Sequence, residues 1–382
     1  MEVGTIINGY IIIKDGKIFD VGKMDDIDKK IFKYDNVIDA KGMDAYPGFI
    51  DAHTHLGLFA DGEGYECEDA NEVSNSITPN MRVIDAINPM DKCFDEAIRA
   101  GITTVVVSPG SANPISGEIS AIKTNGIRID NMIIKNPIGI KFAMGENPRR
   151  VNGDSGDAPI TRMAVASLIR ETLYKATKYM NDKEKALRNE ESYDMPDYDS
   201  KYESLIPLLK REIKAHFHAH RADDIFTSIR IANEFNLDYC IVHATEAHII
   251  IEELLKEGTD LLIGPMIGDR SKPELKNMKT DAVVDISKSG LNSAIITDHP
   301  ELPIQYLPLC ASLAVGKGVP KYKAIEMITS GAARICNIYD KVGSIKIGKD
   351  ADILLYSRDL FEMGIQPDVV IINGKVVKNK LI

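Results

Sequence analysis

Eight short apolar runs, several followed by a stretch with helical spacing, constrain this chain more than any other feature. They read PGFIDAH, ITTVVVS, EISAIKT, IGIKFAM, KAHFHAH, DYCIVHA, DLLIGPM and SAIITDH. Segments such as MDKCFDEAIRAG, ADDIFTSIRIANEFN and EAHIIIEELLKEG lie between or after them and carry apolar residues at helical intervals. Such alternation predicts a mostly parallel sheet with crossover helices. Eight βα units fit a closed (β/α)₈ TIM barrel better than an open doubly wound sheet, and one such barrel typically takes about 250 residues.

The two ends of the chain read differently. TIINGYIIIK, DGKIFDVGK and DNVIDAKGM at the start, and VGSIKIGKD, ADILLYS and DVVIINGKVVKN at the end, are short β segments separated by turns. Asp15-Gly16 and Asn373-Gly374 are hairpin signals, because both turn positions can take positive φ. The expected organisation is a composite β-sandwich domain from residues 1–47 plus 341–382, around a barrel spanning 48–340. A helical insertion is expected over about 158–213, ending in the charged KDEKALRNEESYDMPDYDS. It reads as a solvated addition or as a lid over the site.

Composition narrows the function classes. Acidic residues outnumber basic ones, 57 to 46, for a formal charge of −11. That balance repels phosphate backbones, so neither nucleic acid nor an anionic membrane is an expected partner. No apolar run approaches the roughly 20 residues that span a bilayer, and the start shows no secretory pattern. The five cysteines are scattered without a CxxC pair, which argues against disulfides or a cysteine zinc knot. Gly343, Gly348 and Lys349 mimic a phosphate loop, but Asp350 follows where Ser or Thr is needed. A cytoplasmic homo-oligomer acting on a small molecule is expected.

Histidine is scarce, eight in 382 residues, yet it concentrates at strand ends. In PGFIDAHTHLG, strand alternation puts Asp51, His53 and His55 on one face. His216, His218 and His220 share a face in KAHFHAHRADDI, His243 closes DYCIVHA, and Asp298 and His299 close SAIITDH. In a parallel barrel these ends form the catalytic face. Burying so many titratable groups without a metal is costly, so a divalent site is expected.

These ordered motifs, with a lysine on the fourth strand and the closing VGSIKIGKDADILLYS, resemble the amidohydrolase superfamily over essentially the whole chain. The nearest branch is the imidazolonepropionase-like and prolidase-like one. The resemblance implies that His53, His55 and Asp298 bind one metal and that His218 and His243 bind a second. It also implies that Lys141, carboxylated, bridges them. An unmodified lysine is a cation and cannot ligate. His220 and Glu146 are alternates for His218 and Lys141. Zinc suits such ligands best, as one or two ions, although Mn, Fe, Co and Ni also accept them. The family's strand-eight aspartate takes a proton from a hydroxide-forming water and passes it to the leaving nitrogen, a role that falls to Asp298. His248 and His299 are candidates to stabilise the oxyanion.

Arg221 and Arg149 follow strands that end near the site, and a guanidinium fork suits a substrate carboxylate. The Gly/Ser/Asn-rich loop SPGSANPISG could bring backbone amides to a substrate. The implied reaction is hydrolysis of an amide C–N bond in a dipeptide, an N-acyl amino acid or a cyclic amide. Deamination of a heterocycle is the alternative. Family deaminases place a glutamate three residues after the fifth-strand histidine, and here that position is Arg221 or Asp223. A non-catalytic scaffold is the third reading, disfavoured because a full ligand set is present.

Overall fold

The computed structural model describes residues 4–27, 34–62, 64–151, 159–188 and 194–380. Short strands open the chain: β1 (Gly9–Lys14) and β2 (Lys17–Lys23) form an antiparallel hairpin. Next come β3 (Asp44–Pro47), β4 (Phe49–Thr54), β5 (Ile102–Val107), β6 (Ile115–Lys123) and β7 (Ile133–Ala143). Then β8 (Lys214–Ala219), β9 (Tyr239–His243), β10 (Asp260–Ile263) and β11 (Ser293–Ile295) complete the central region. The chain closes with β12 (Ile353–Tyr356), β13 (Val369–Ile372) and β14 (Lys375–Asn379).

Strands β4 to β11 form one eight-stranded sheet in chain order, the expected barrel. Its regularity breaks at β6, which runs antiparallel to both β5 and β7. The reason is connection length: 108–114 and 124–132 are too short for a parallel crossover of about a dozen residues. Residues from seven strands, including Ile50, Val106, Ile119, Ile138, Val242 and Ile296, converge in one buried cluster with Ala332 and Ala333 of helix Ser330–Ile335. A larger cluster packs the outer face of the sheet against the helices, with Phe142 and Phe217 stacked 4.8 Å apart.

Between β4 and β11 the barrel is drawn together by side-chain and loop contacts. The Asp51 carboxylate accepts the Thr297 hydroxyl at 2.5 Å and its amide at 3.2 Å, while the His55 amide donates to the His299 carbonyl at 2.9 Å. Asp51 thus bonds Thr297 and stands outside the group formed by His53, His55 and Asp298. The β4–β5 register shifts on both sides of this stretch, and Asp51 becomes the barrel's fastener. Burial pushes its pKa up to about 7, against the hydrogen bonds from Thr297.

Strand β3 joins β12, β13 and β14 in a four-stranded sheet, so residues from both ends of the chain share one element. Ile18 of β2 packs with Ile353, Leu355, Val369 and Ile371 between this sheet and the β1–β2 hairpin. The two anticipated turns touch each other: a Cβ on Gly374 would lie 3.0 Å from the Cα of Gly16. Buried Lys123 of β6 ties barrel to sheet through Asp352 at 2.5 Å and Asp350 at 2.9 Å.

Helices Arg162–Leu187 and Ser200–Leu209 connect β7 to β8. Thr161 and Asp199 cap them, and Arg162 and Arg170 fasten the longer one to Asp224 and Glu234 of helix Ala222–Glu234. The expected insertion at 158–213 therefore supplies barrel crossover helices; Ala158 and residues 189–193 lie outside the described residues. Among the described residues, no helix is long and apolar enough to cross a membrane.

Candidate metal centre

Two triads of ligand-type side chains meet at the C-terminal ends of the barrel strands. In the first, His53, His55 and Asp298 bring their donor atoms within 4.8 Å of one another. Both Nε2 atoms lie 3.3 Å from Asp298 Oδ1. Lys141 of β7 reaches the same point, its Nζ 3.1 Å from His53 Nε2. In the second, His218, His220 and His243 gather within the same limit, with ring centroids 4.5 to 4.8 Å apart. Asp298 Oδ2, 3.9 Å from His243, joins the two triads.

Local backbone geometry aims these groups. His243 and Asp298 adopt left-handed backbone with φ of 72° and 57°. Such conformations cost about 1–3 kcal/mol for a residue other than glycine and gather at functional sites. His243 Nδ1 contacts the Gly264 carbonyl at 2.8 Å, and His55 Nδ1 contacts the Ser108 carbonyl at 2.7 Å. A carbonyl only accepts, so each ring carries its proton on Nδ1 and leaves Nε2 free to ligate. Gly264 is needed here because a Cβ would sit 2.2 Å from the Ile296 carbonyl oxygen.

Electrostatics favour metal over protons. Burial lowers the pKa of His243 to about 4 and holds His53, His218 and His220 well below the usual range, so the imidazoles are neutral. Burial alone would raise Asp298, but His243, His53 and His55 outweigh it and keep the carboxylate ionised. Burial also brings Lys141 down to about 8 against the pull of Asp298, which gives its amine a neutral fraction near neutral pH. The buried atoms His53 Nδ1, His218 Nδ1 and Asp298 Oδ1 have no hydrogen-bond partner. Neutral imidazoles, an ionised carboxylate and orphaned donors fit one or two divalent ions.

A cavity of 810 Å³ opens above the triads, and His55, Lys141, His218, His220, His243 and Asp298 line it. Gly110 and Ser111 of the Gly/Ser/Asn-rich loop reach it as well. Other expected residues do not. His248 sits off the cavity with its Nδ1 on the Thr245 carbonyl at 3.0 Å. His299 Nδ1 accepts the Ile304 amide at 3.2 Å, a structural contact. Glu146 begins helix Glu146–Val151 and lies 3.7 Å from Arg150, away from Lys141. Arg149 donates to the Ile160 carbonyl and Arg221 pairs with Asp223, so neither guanidinium faces the cavity. No described residue of 159–213 lines it.

Sequence reasoning missed Asn147, Lys272 and Glu274. Asn147 and Lys272 line the cavity; Glu274 is buried beneath it, its Oε1 3.7 Å from His220 Nε2. All three lie in connections without periodicity, so only their closeness to strand ends in GENPRR and DRSKPEL hinted at them.

Comparison with known proteins agrees with this architecture. An amidohydrolase from Thermotoga maritima superposes with a TM-score of 0.91 at 36% identity, covering 97% of this chain and 94% of that one. The amidohydrolase tasK of Hapsidospora irregularis is 27% identical over 88% of this chain, which spans 37% of that protein. An imidazolonepropionase of Brucella anthropi is 23% identical over 93% of this chain and 88% of its own length. The family model for amidohydrolases matches residues 45–377. With the barrel, the strand-end histidines and Asp298 in place, the chain belongs to the amidohydrolase family.

Proposed function

We propose that this protein is a metal-dependent hydrolase of amide C–N bonds, acting on a dipeptide, an N-acyl amino acid or a cyclic amide. The observation that carries the reading is Asp298, an ionised carboxylate that completes the first triad, lies 3.9 Å from His243 of the second and opens to the cavity. His53, His55 and Asp298 would hold one ion; His218 and His243 would hold the other, with His220 as a further donor. Lys141, as a carbamate, would contribute to both. When bound, a divalent ion polarises the scissile carbonyl and lowers the pKa of water from about 15.7 toward about 7.

The remaining work falls to the chain. Asp298 takes the proton of the attacking water and delivers it to the departing nitrogen, which needs a carboxylate ionised at neutral pH. Met266, Val283 and Ile286 give the cavity an apolar lining. Amide hydrolysis is favoured over deamination because Arg221 and Asp223, where a deaminase glutamate would stand, pair with each other outside the cavity.

The test is a product assay on metal-reconstituted protein with a chelated control. Dipeptides, N-acyl amino acids, cyclic amides and aminated heterocycles are scored separately for amine, carboxylate and ammonia. Metal-dependent amine release, or ring opening of a cyclic amide, is the expected result. Ammonia released from heterocycles alone would overturn it.

A further inference from the structure

Besides Lys141, three cations line the cavity: Arg150, Lys272 and Lys279. Arg150 has Glu146 at 3.7 Å and Lys279 has Asp285 at 3.6 Å. Lys272 differs. Among the described residues no carboxylate lies within 4.0 Å of its ammonium, and its side-chain contact is the neutral Oδ1 of Asn147 at 3.3 Å. The amide nitrogen of Asn147 donates to Ser111 Oγ at 2.7 Å and stands 3.5 Å from His218 Nε2. One carboxamide therefore separates the second triad from this cation, whose field also reaches the buried Glu274 carboxylate.

A positive charge beside a metal site raises the cost of placing divalent ions there, unless an anion shares the space. Asp298 and Glu274 stand against the histidines, and Asp269 and Glu301 line the cavity without coming within 4.0 Å of Lys272, so a substrate anion has room to pair with its ammonium. Met266, Ile267, Leu275, Val283 and Ile286 give the same cavity an apolar lining. A ligand that answers both features carries a carboxylate and an apolar side chain on one unit.

We propose that Lys272 anchors the α-carboxylate of the substrate, so that the enzyme takes N-acyl amino acids or dipeptides ending in an apolar residue. Cyclic amides and heterocycles lacking a carboxylate are then poor ligands. Asn147 orients the ammonium, and Ser111 holds Asn147. The inference rests on the proposed reaction for its substrate class, but the anchor can be tested by binding alone.

Two uncleavable probes separate the possibilities: ketomethylene analogues of N-acetyl-leucine ending in a carboxylate or in a carboxamide. Calorimetric titration of the metal-loaded protein should show tighter binding of the carboxylate by about 10- to 100-fold. Lys272→Met should erase that preference and leave affinity for the carboxamide unchanged, with metal content and circular dichroism as in the parent. Lys272→Arg should restore part of it. Equal binding of both probes by the parent, or an undiminished preference in Lys272→Met, overturns the anchor. If the preference depends on Lys272 while no amide is hydrolysed, the proposed reaction fails and the anchor stands. If amides are hydrolysed without a preference, the reverse holds.

Discussion

The two triads look alike in donor count but differ in charge. His53, His55 and Asp298 include a full negative charge, whereas His218, His220 and His243 are three neutral rings whose carboxylate neighbours, Asp298 at 3.9 Å and the buried Glu274 at 3.7 Å, lie outside the triad. A divalent ion at the first triad is compensated at once. An ion at the second depends on what its neighbours carry, and those neighbours include the ammonium of Lys272 and the amine of Lys141. Two sites of equal geometry can thus differ in affinity, because geometry selects the donors while net charge sets the cost of bringing a cation into a buried place.

The comparison breaks most visibly at Asp298. Asp298→Ala should cost roughly 10³-fold or more in kcat/KM, since in the proposed reaction it removes a ligand and the proton carrier together. Metal analysis should show the first triad depleted; a variant that keeps its activity would remove the aspartate from the chemistry. His243→Ala sharpens the contrast. It should release the second ion and keep the first, lowering activity by roughly 10- to 100-fold. Loss of both ions in proportion would mean that the triads act as one site.

The third prediction concerns the protein without metal. Burial lowers His243 and His299 to about 4 and His216 to about 3, below the 6.5 of an unfolded histidine. Between those values the unfolded chain binds more protons than the folded one, so stability falls as pH drops below 6.5 toward 4. It is fully present above 6.5. Thermal melts of chelated protein should show this slope, and metal loading should flatten it until acid displaces the ions. A melting temperature independent of pH across this window would show that the imidazoles are not held neutral by burial. The smallest effects are expected outside the cavity: Arg149→Ala, Arg221→Ala and His248→Ala should each change kcat/KM by less than about twofold.

Much of the site is legible from strand periodicity. His53, His55, His218, His243 and Asp298 each sit at the end of an apolar run, where a short side chain and a fixed strand direction leave few places to point. Lys141 is visible for the same reason. His220 and His218 face the same way by alternation, and the structure gathers both. Periodicity says nothing of connections, so Asn147, Lys272 and Glu274 went unseen. Proximity in sequence favoured Arg149 and Arg221 instead, whose long side chains turned to Ile160 and Asp223. Asp51 shows the limit of alternation itself: a register shift in β4 gave its carboxylate to Thr297.

The sequence by itself determined the barrel, the shared terminal sheet and the residue types at the strand ends. Hydrophobic period and turn chemistry act over a few residues and survive any tertiary context. Only the tertiary structure decided that β6 runs backwards, that the long segment after β7 carries crossover helices, and that Lys272 lines the cavity with no carboxylate of the described residues within 4.0 Å. Those outcomes depend on loop lengths and on pairings between residues far apart in the chain. Burial then turns those pairings into chemistry, because a charge removed from water must find its partner nearby or wait for a ligand to bring one.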